Sequence, residues 1–219
     1  ILSITPIMQN QALAGKIKNR YLHDGSGHDW FHILRVRNMA VYIAGNENAN
    51  KTEVELLALL HEFTDHKLVK DPEKGLKEAR THLKNEAVSD AVADKIISLV
   101  PLISFSSAEV TSEPLVLTGK IVQDADRLDA MGAIGIARTF AYGGSKGRKI
   151  YDPDINPVRY KNESEYHASS SPTINHFYEK LLLLKDMMHT DTAKTIARER
   201  HDVMVRYHEQ FMREWNMTI

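Results

Sequence analysis

The sequence contains no cysteine, which excludes disulfides, thiolate metal ligands and a cysteine nucleophile together. Glycine and proline are also sparse, at 11 and 7 of 219 residues, which argues against a fibrous repeat or a disordered chain. We therefore expect a globular protein in which any metal ion is bound by histidine and carboxylate side chains. The length favours one domain with a sizeable core.

Neither sign of charge dominates, because 28 Lys and Arg face 29 Asp and Glu for a formal net charge of -1. The chain offers no basic field for a nucleic-acid backbone, so long DNA or RNA is not an expected partner. No apolar run is long enough to span a bilayer, and no basic-then-apolar signal segment is evident. We expect no membrane partner and a cytoplasmic location, and the oligomeric state stays open.

Apolar residues recur at steps of three and four and nowhere alternate over a sustained stretch, which predicts an all-α fold. The first helix is predicted from Met8 to Leu22, and the second begins near Asp29. A third begins with a capping box of Thr52 and Glu55 and carries His61 in its later turns. Further helices are predicted over residues 73–83, 86–99, from Pro114 through Leu128, 173–188 and 191–215.

Residues 143–172 form an irregular excursion rich in Gly, Ser, Asp and Pro. Loops of this length are usually functional lids or mobile segments, so we expect it to border the functional cavity. We interpret residues 1–219 as a single domain, with the C-terminal helices 173–215 packed on the core.

Four side chains are of the right type to bind one divalent metal ion: His32, His61, Glu62 and Asp126. Imidazole and carboxylate suit manganese, iron, nickel, magnesium or zinc to differing degrees, so the residue types do not choose the metal. The apolar periodicity puts His32 at the edge of a buried stripe and Asp126 beside the apolar face of its helix.

The order His, then His-acid, then a distant Asp in an Ala-Asp-Arg-Leu run resembles the signature of the HD superfamily. Most of the chain is similar to small bacterial HD-domain phosphohydrolases. The stretches that carry the resemblance are residues 28–32 (His-Asp-Trp-Phe-His) with Arg35-Val36, 59–62 (Leu-Leu-His-Glu), 104–106 (Ser-Phe-Ser), 121–137 and 176–215. The resemblance implies an HD-domain helical bundle, one metal ion, and hydrolysis of a phosphate ester or phosphoanhydride, with a nucleotide as the expected small-molecule substrate.

Phosphoryl transfer also needs a group that orients or deprotonates water, and cations that contact phosphate oxygens. Asp65 is the expected catalytic residue, because related HD hydrolases are thought to use an acid at its position. Arg35, Lys67 and Arg127 are the expected substrate-binding residues. Each has a plainer interpretation: Asp65 and Lys67 as solvated charges, Arg35 as an ion-pair partner, and Arg127 as a structural residue that points away from its neighbouring ligand.

Two positions depart from the family. Glu62 stands where the family has Asp, which lengthens the ligand arm by about 1.5 Å, and Ile103 stands where the family often has His. These departures leave an alternative open, in which the chain is a catalytically weakened nucleotide-binding or regulatory HD protein.

A second alternative is a zinc peptidase, because residues 61–66 nearly match the His-Glu-x-x-His motif. On an α-helix the second zinc histidine belongs at i+4, about 40° around the axis from the first. His66 stands at i+5, about 140° away, so helical geometry argues against this site.

Overall fold

The computed structural model describes residues 10–22, 28–65, 69, 71–103, 115–158 and 171–218. All the regular elements within these ranges are helices, which confirms the predicted all-α class. None of the helices in the described ranges is both long and apolar enough to cross a bilayer. The chain divides into two compact units, residues 1–126 and 127–219. A single domain with helices 173–215 packed on the core stays a prediction.

The first unit is built around a helix that is buried on every side. Its helices are α1 (Gln11–Tyr21), α2 (Trp30–Asn46), α3 (Lys51–Leu60), α4 (Pro72–Asn85), α5 (Asp90–Leu99) and the first ten residues of α6 (Leu117–Asp129), with 3₁₀ helices at His61–Thr64 and Val100–Leu102. Every residue of α3 from Val54 to Leu60 is buried, and α3 contacts α1, α2 and α5. An all-round buried surface is the mark of a core helix.

The start of α3 differs from the predicted capping box. Asn50 is the N-cap, and its side chain accepts hydrogen bonds from the backbone N–H groups of Thr52 and Glu53. Glu55 points inward, where its Oε1 accepts a hydrogen bond of 2.7 Å from Nε of the buried Arg37. The capping-box prediction was wrong because Glu55 has a buried cation to neutralise.

The end of α3 also differs, since this helix was predicted to carry His61. The α-helix ends at Leu60, a 3₁₀ turn covers His61–Thr64, and Asp65 is extended with φ -65° and ψ 122°. Helix α4 packs against this turn, and a Cβ on Gly75 would lie 1.8 Å from the Phe63 carbonyl oxygen. The close approach of α4 accounts for a tightened turn that the apolar pattern of α3 does not predict.

The second unit contains α7 (Gly132–Ser145), α8 (His176–Glu179) and α9 (Asp191–Trp215), with 3₁₀ helices at Thr173–Asn175 and Leu181–Met187. Helix α7 begins at Gly132, whose φ of 68° favours glycine, and it packs on α9. The bounds of α9 match the predicted 191–215. The predicted helix over 173–188 is instead broken into three short segments, two of them 3₁₀, with an interruption at Lys180.

Several predicted features lie outside the described residues: His66, Lys67, the turn 104–107, Pro114 and residues 159–170 of the long excursion. The described part of that excursion is helical only to Ser145 and then irregular through Val158. Its role as a lid stays a prediction. Helix α5 begins at Asp90 rather than at Glu86, which instead caps the end of α4.

We predict that Gly75→Ala destabilises the protein by about 1–3 kcal/mol, the usual effect of overpacking, because the new methyl group would collide with the Phe63 carbonyl. The matched control is Gly15→Ala on α1, where an added Cβ meets nothing within 4 Å. The control should stabilise by about 0.4–1 kcal/mol, since alanine favours helix. Urea denaturation measures both variants, and equal midpoints would show that α4 does not press on the turn.

Candidate metal centre

His32 is held at the start of α2 by its N-cap. The Asp29 carboxylate accepts a hydrogen bond of 2.8 Å from the backbone N–H of His32, which confirms the predicted helix start near Asp29. The His32 side chain is completely buried. The cap therefore fixes the backbone from which the ring enters the interior of the first unit.

His61 enters the same interior from the 3₁₀ turn after α3. Its Nδ1 lies 2.7 Å from the Ala58 carbonyl oxygen, which can only accept, so Nδ1 carries the proton of the neutral ring. Nε2 then presents its lone pair, and it lies 3.3 Å from Nε2 of His32. The two imidazoles thus direct nitrogen atoms at one another.

The Glu62 carboxylate lies among three histidines. Its Oε1 is 2.8 Å from Nδ1 of His28, 3.0 Å from Nε2 of His32 and 3.3 Å from Nε2 of His61. Its Oε2 is buried and makes no hydrogen bond with the described residues. Burial acts to raise the pKa of the Glu62 carboxyl, yet the histidines outweigh it and hold the pKa well below its usual value. Glu62 is therefore an anion near neutral pH.

Asp126 completes the predicted set from α6. Its Oδ1 lies 3.5 Å from Nε2 of His32, and its side chain is 24% exposed. Burial acts to lower the pKa of His61, but the charges of Glu62 and Asp126, with the Glu62 hydrogen bond, outweigh it and raise the pKa. This approach to His32 distinguishes Asp126 from a surface acid that only pairs with Arg127 or Lys120 of the same helix.

The donor atoms of these residues fit a divalent cation. They form two overlapping groups, one of His28, His32 and Glu62 and the other of His32, His61 and Asp126, with ligand atoms within 4.8 Å of one another in each. Ligand atoms that each lie about 2.0–2.2 Å from one ion are separated from one another by distances of this order. Lone pairs and carboxylate oxygens that face one another repel unless protons or a cation lie between them. The set, with the buried Glu62 Oε2, can hold a metal ion.

His28 is the member that sequence reasoning missed as a site residue. The resemblance included it in the stretch 28–32, but no spacing rule linked it with Glu62, which lies 34 residues along the chain. The available signal was its place directly before Asp29, whose capping turn keeps His28 near the start of α2.

Of the predicted catalytic and substrate-binding residues, Asp65 and Arg35 lie close in sequence to donor residues of this centre. Asp65 is 9% exposed and directly follows the 3₁₀ turn that carries His61 and Glu62, but it belongs to neither donor group. Arg35 is half-exposed on α2, three residues after His32. The roles of Asp65 and Arg35 stay predictions, as does that of Lys67, which lies outside the described residues.

Arg127 has contacts of a structural kind. Its side chain is buried, and Nη1 donates to the Met187 carbonyl oxygen at 2.5 Å and lies 3.1 Å from Nε2 of His189. These contacts support the plainer interpretation, that Arg127 braces the second unit. Its predicted substrate contact stays untested.

The structure also bears on the zinc peptidase alternative and on Ile103. The turn at His61–Thr64 is 3₁₀, so the helical angles used against a peptidase site do not apply there, and His66 lies outside the described residues. Glu62 nevertheless contacts three histidines, whereas the Glu of a peptidase motif serves as a general base beside its metal.

Ile103, which stands where the family often has His, is fully buried in the first unit.

Comparison with protein families and known structures places these residues in a wider group. The HD domain model matches residues 30–131, which include His32, His61, Glu62 and Asp126. The Bacillus subtilis protein YpgQ is 40% identical over 192 residues, covering 87% of this chain and 86% of YpgQ.

Solved structures agree with these matches over nearly the whole chain. A Lactobacillus plantarum protein superposes with a TM-score of 0.83 at 38% identity, covering 97% of this chain and 100% of that one. An HD-superfamily hydrolase from Bacillus thuringiensis has a TM-score of 0.75 at 42% identity, with 94% and 96% covered. YpgQ in complex with ADP has a TM-score of 0.75 at 36% identity, with 93% and 96% covered.

We predict that His61→Ala weakens divalent-ion binding by more than about 100-fold, because loss even of residues behind the ligands costs about 10–100-fold. Isothermal titration with Mn²⁺ and metal analysis of the purified protein measure the change. The control is His208→Ala, a histidine of α9 whose ring contacts Phe177 and Tyr178. Equal metal occupancy in the two variants would remove His61 from the ligand set.

Proposed function

The chain belongs to the HD domain family, and on that basis we propose that it is a metal-dependent phosphohydrolase that acts on a phosphate ester or phosphoanhydride, with a nucleotide as its substrate. The observation that carries the proposal is that His32 shares one donor group with Glu62 and another with His61 and Asp126, and that Glu62 Oε1 also lies 3.3 Å from Nε2 of His61. The complex of YpgQ with ADP supports a nucleotide, because that relative is 36% identical over 93% of this chain.

The proposed ligands are His32, His61, Glu62 and Asp126, which offer two imidazole nitrogens and two carboxylates. A bound divalent ion would polarise phosphoryl oxygens and lower the pKa of water. Manganese, iron, nickel, magnesium and zinc all suit this donor set, so the metal is for experiment to identify.

Asp65 and the basic side chains would do the remaining work. Asp65, extended directly after the ligand turn, would orient the attacking water and accept its proton. The Arg35 guanidinium, which is partly exposed one turn after His32 on α2, would bind phosphate oxygens, and Lys67 would add a second cation. The buried Arg127 would have a mainly structural role, because its guanidinium donates to the Met187 carbonyl oxygen.

The test is a panel of phosphate esters and nucleoside mono-, di- and triphosphates, run against each candidate metal, with the released products identified by ion-exchange chromatography. Release of phosphate or pyrophosphate that requires metal and disappears in His61→Ala supports the proposal. Nucleotide binding by calorimetry without turnover under every metal would instead favour the weakened or regulatory HD protein.

We predict that Asp65→Asn keeps its metal ion but loses about 10²-fold or more in kcat, the usual effect of removing a general base. The matched control is Asp202→Asn, an exposed acid on α9, which should keep the wild-type rate. Steady-state kinetics and metal analysis of the same preparations give both numbers. If kcat is unchanged in Asp65→Asn, Asp65 has no part in catalysis and the catalytic base lies elsewhere.

A further inference from the structure

We propose that His28 is a positioning residue of the metal centre, which holds the Glu62 carboxylate in a fixed orientation by a hydrogen bond from Nδ1 to Oε1. This inference rests on the proposed metal-dependent function and adds to it a residue that binds neither metal nor substrate. It starts from the 2.8 Å contact between the two side chains, which lie at the start of α2 and in the 3₁₀ turn after α3.

The direction of the hydrogen bond follows from its length and its partners. The Nδ1–Oε1 distance of 2.8 Å requires a proton between the two atoms, and a carboxylate oxygen accepts, so Nδ1 of His28 is the donor. The Glu62 side chain is 3% exposed and that of His28 is 17% exposed, so water competes little for this bond. A hydrogen bond to a buried anion is among the stronger ones in proteins.

Glu62 needs such a partner more than an aspartate would. Its longer side chain has an additional rotatable bond, and ordering that bond opposes metal binding. His28 occupies Oε1, whereas Oε2 is buried without a hydrogen bond to the described residues. A buried carboxylate oxygen is costly unless something binds it, and a cation would satisfy that requirement. One oxygen is thus anchored by protein, and the other has lone pairs available for a ligand.

His28 also belongs to a group of three possible metal donors, with His32 and Glu62, so direct ligation is the competing explanation. Two substitutions separate them. In His28→Asn the side-chain amide nitrogen replaces Nδ1 at nearly the same distance from the backbone, so the donor to Glu62 is kept while the imidazole ligand is lost. His28→Ala removes both.

The first measurement is the Mn²⁺ dissociation constant by isothermal titration. His28→Ala should raise it about 10–100-fold, the range found for residues that hold a ligand from behind, and His28→Asn should return it to within a few-fold of wild type. Glu62→Asp shortens the side chain and withdraws the carboxylate from His28. In the double variant of His28→Ala and Glu62→Asp, the loss of Mn²⁺ affinity should therefore be smaller than the sum of the losses in the two single variants. Unchanged affinity in His28→Ala, or no rescue by Asn, would overturn the positioning role.

The second measurement needs no metal and no substrate. In metal-free protein labelled with ¹⁵N-histidine, Nδ1 of His28 should be protonated, with its signal assigned by its loss in His28→Asn. In Glu62→Ala the ring should return to the tautomer protonated at Nε2. A wild-type ring with Nε2 alone protonated would overturn the proposal even if nucleotides are hydrolysed. Conversely, a nucleotide panel without turnover, alongside the expected affinities and tautomer, would reject the proposed function and leave the role of His28 standing.

Discussion

The first unit is organised around the buried Glu62 carboxylate and the three histidines that face it. Glu62 Oε1 lies within 3.3 Å of nitrogen atoms of His28, His32 and His61. A buried carboxylate is strongly destabilising unless charge and hydrogen bonds compensate it, so every element around the centre has to place its donor accurately. The cap at Asp29 places α2, and the close approach of α4 at Gly75 places the turn that carries two of the donors.

Features with a local cause could be predicted from the sequence. The all-α class follows from apolar spacing, the start of α2 from the capping preference of Asp29, and the extent of α9 from a long uninterrupted pattern. The set of His32, His61, Glu62 and Asp126 was identified by residue type and by the order of a family signature. In the structure His32 shares one donor group with Glu62 and another with His61 and Asp126, and the apolar periodicity had indicated the buried helix face that carries His32.

Features with a tertiary cause could not be predicted. The pattern Leu59-Leu60-His61 continues the apolar face of α3, but the chain tightens to a 3₁₀ turn where α4 at Gly75 and the turn at Val100–Leu102 pack against it. Glu55 matched a capping rule, but its buried partner Arg37 lies on another helix. His28 and Glu62 are separated by 34 residues, and no periodicity relates them. In each case the decisive partner is remote in sequence, where spacing rules carry no information.

Glu62 stands where the family has Asp, and the donors around it indicate whether the site has decayed. A buried ionic cluster is often replaced by apolar residues with no loss of stability, so a centre without use for a cation has little physical reason to keep one. Here the four donor residues are present and Nδ1 of His28 lies 2.8 Å from the longer Glu62 arm, which is an arrangement suited to a cation. A regulatory protein that binds metal and nucleotide would need the same donors, however. The ligands therefore argue for metal binding, and the distinction between binding and hydrolysis falls on Asp65, which no donor group requires.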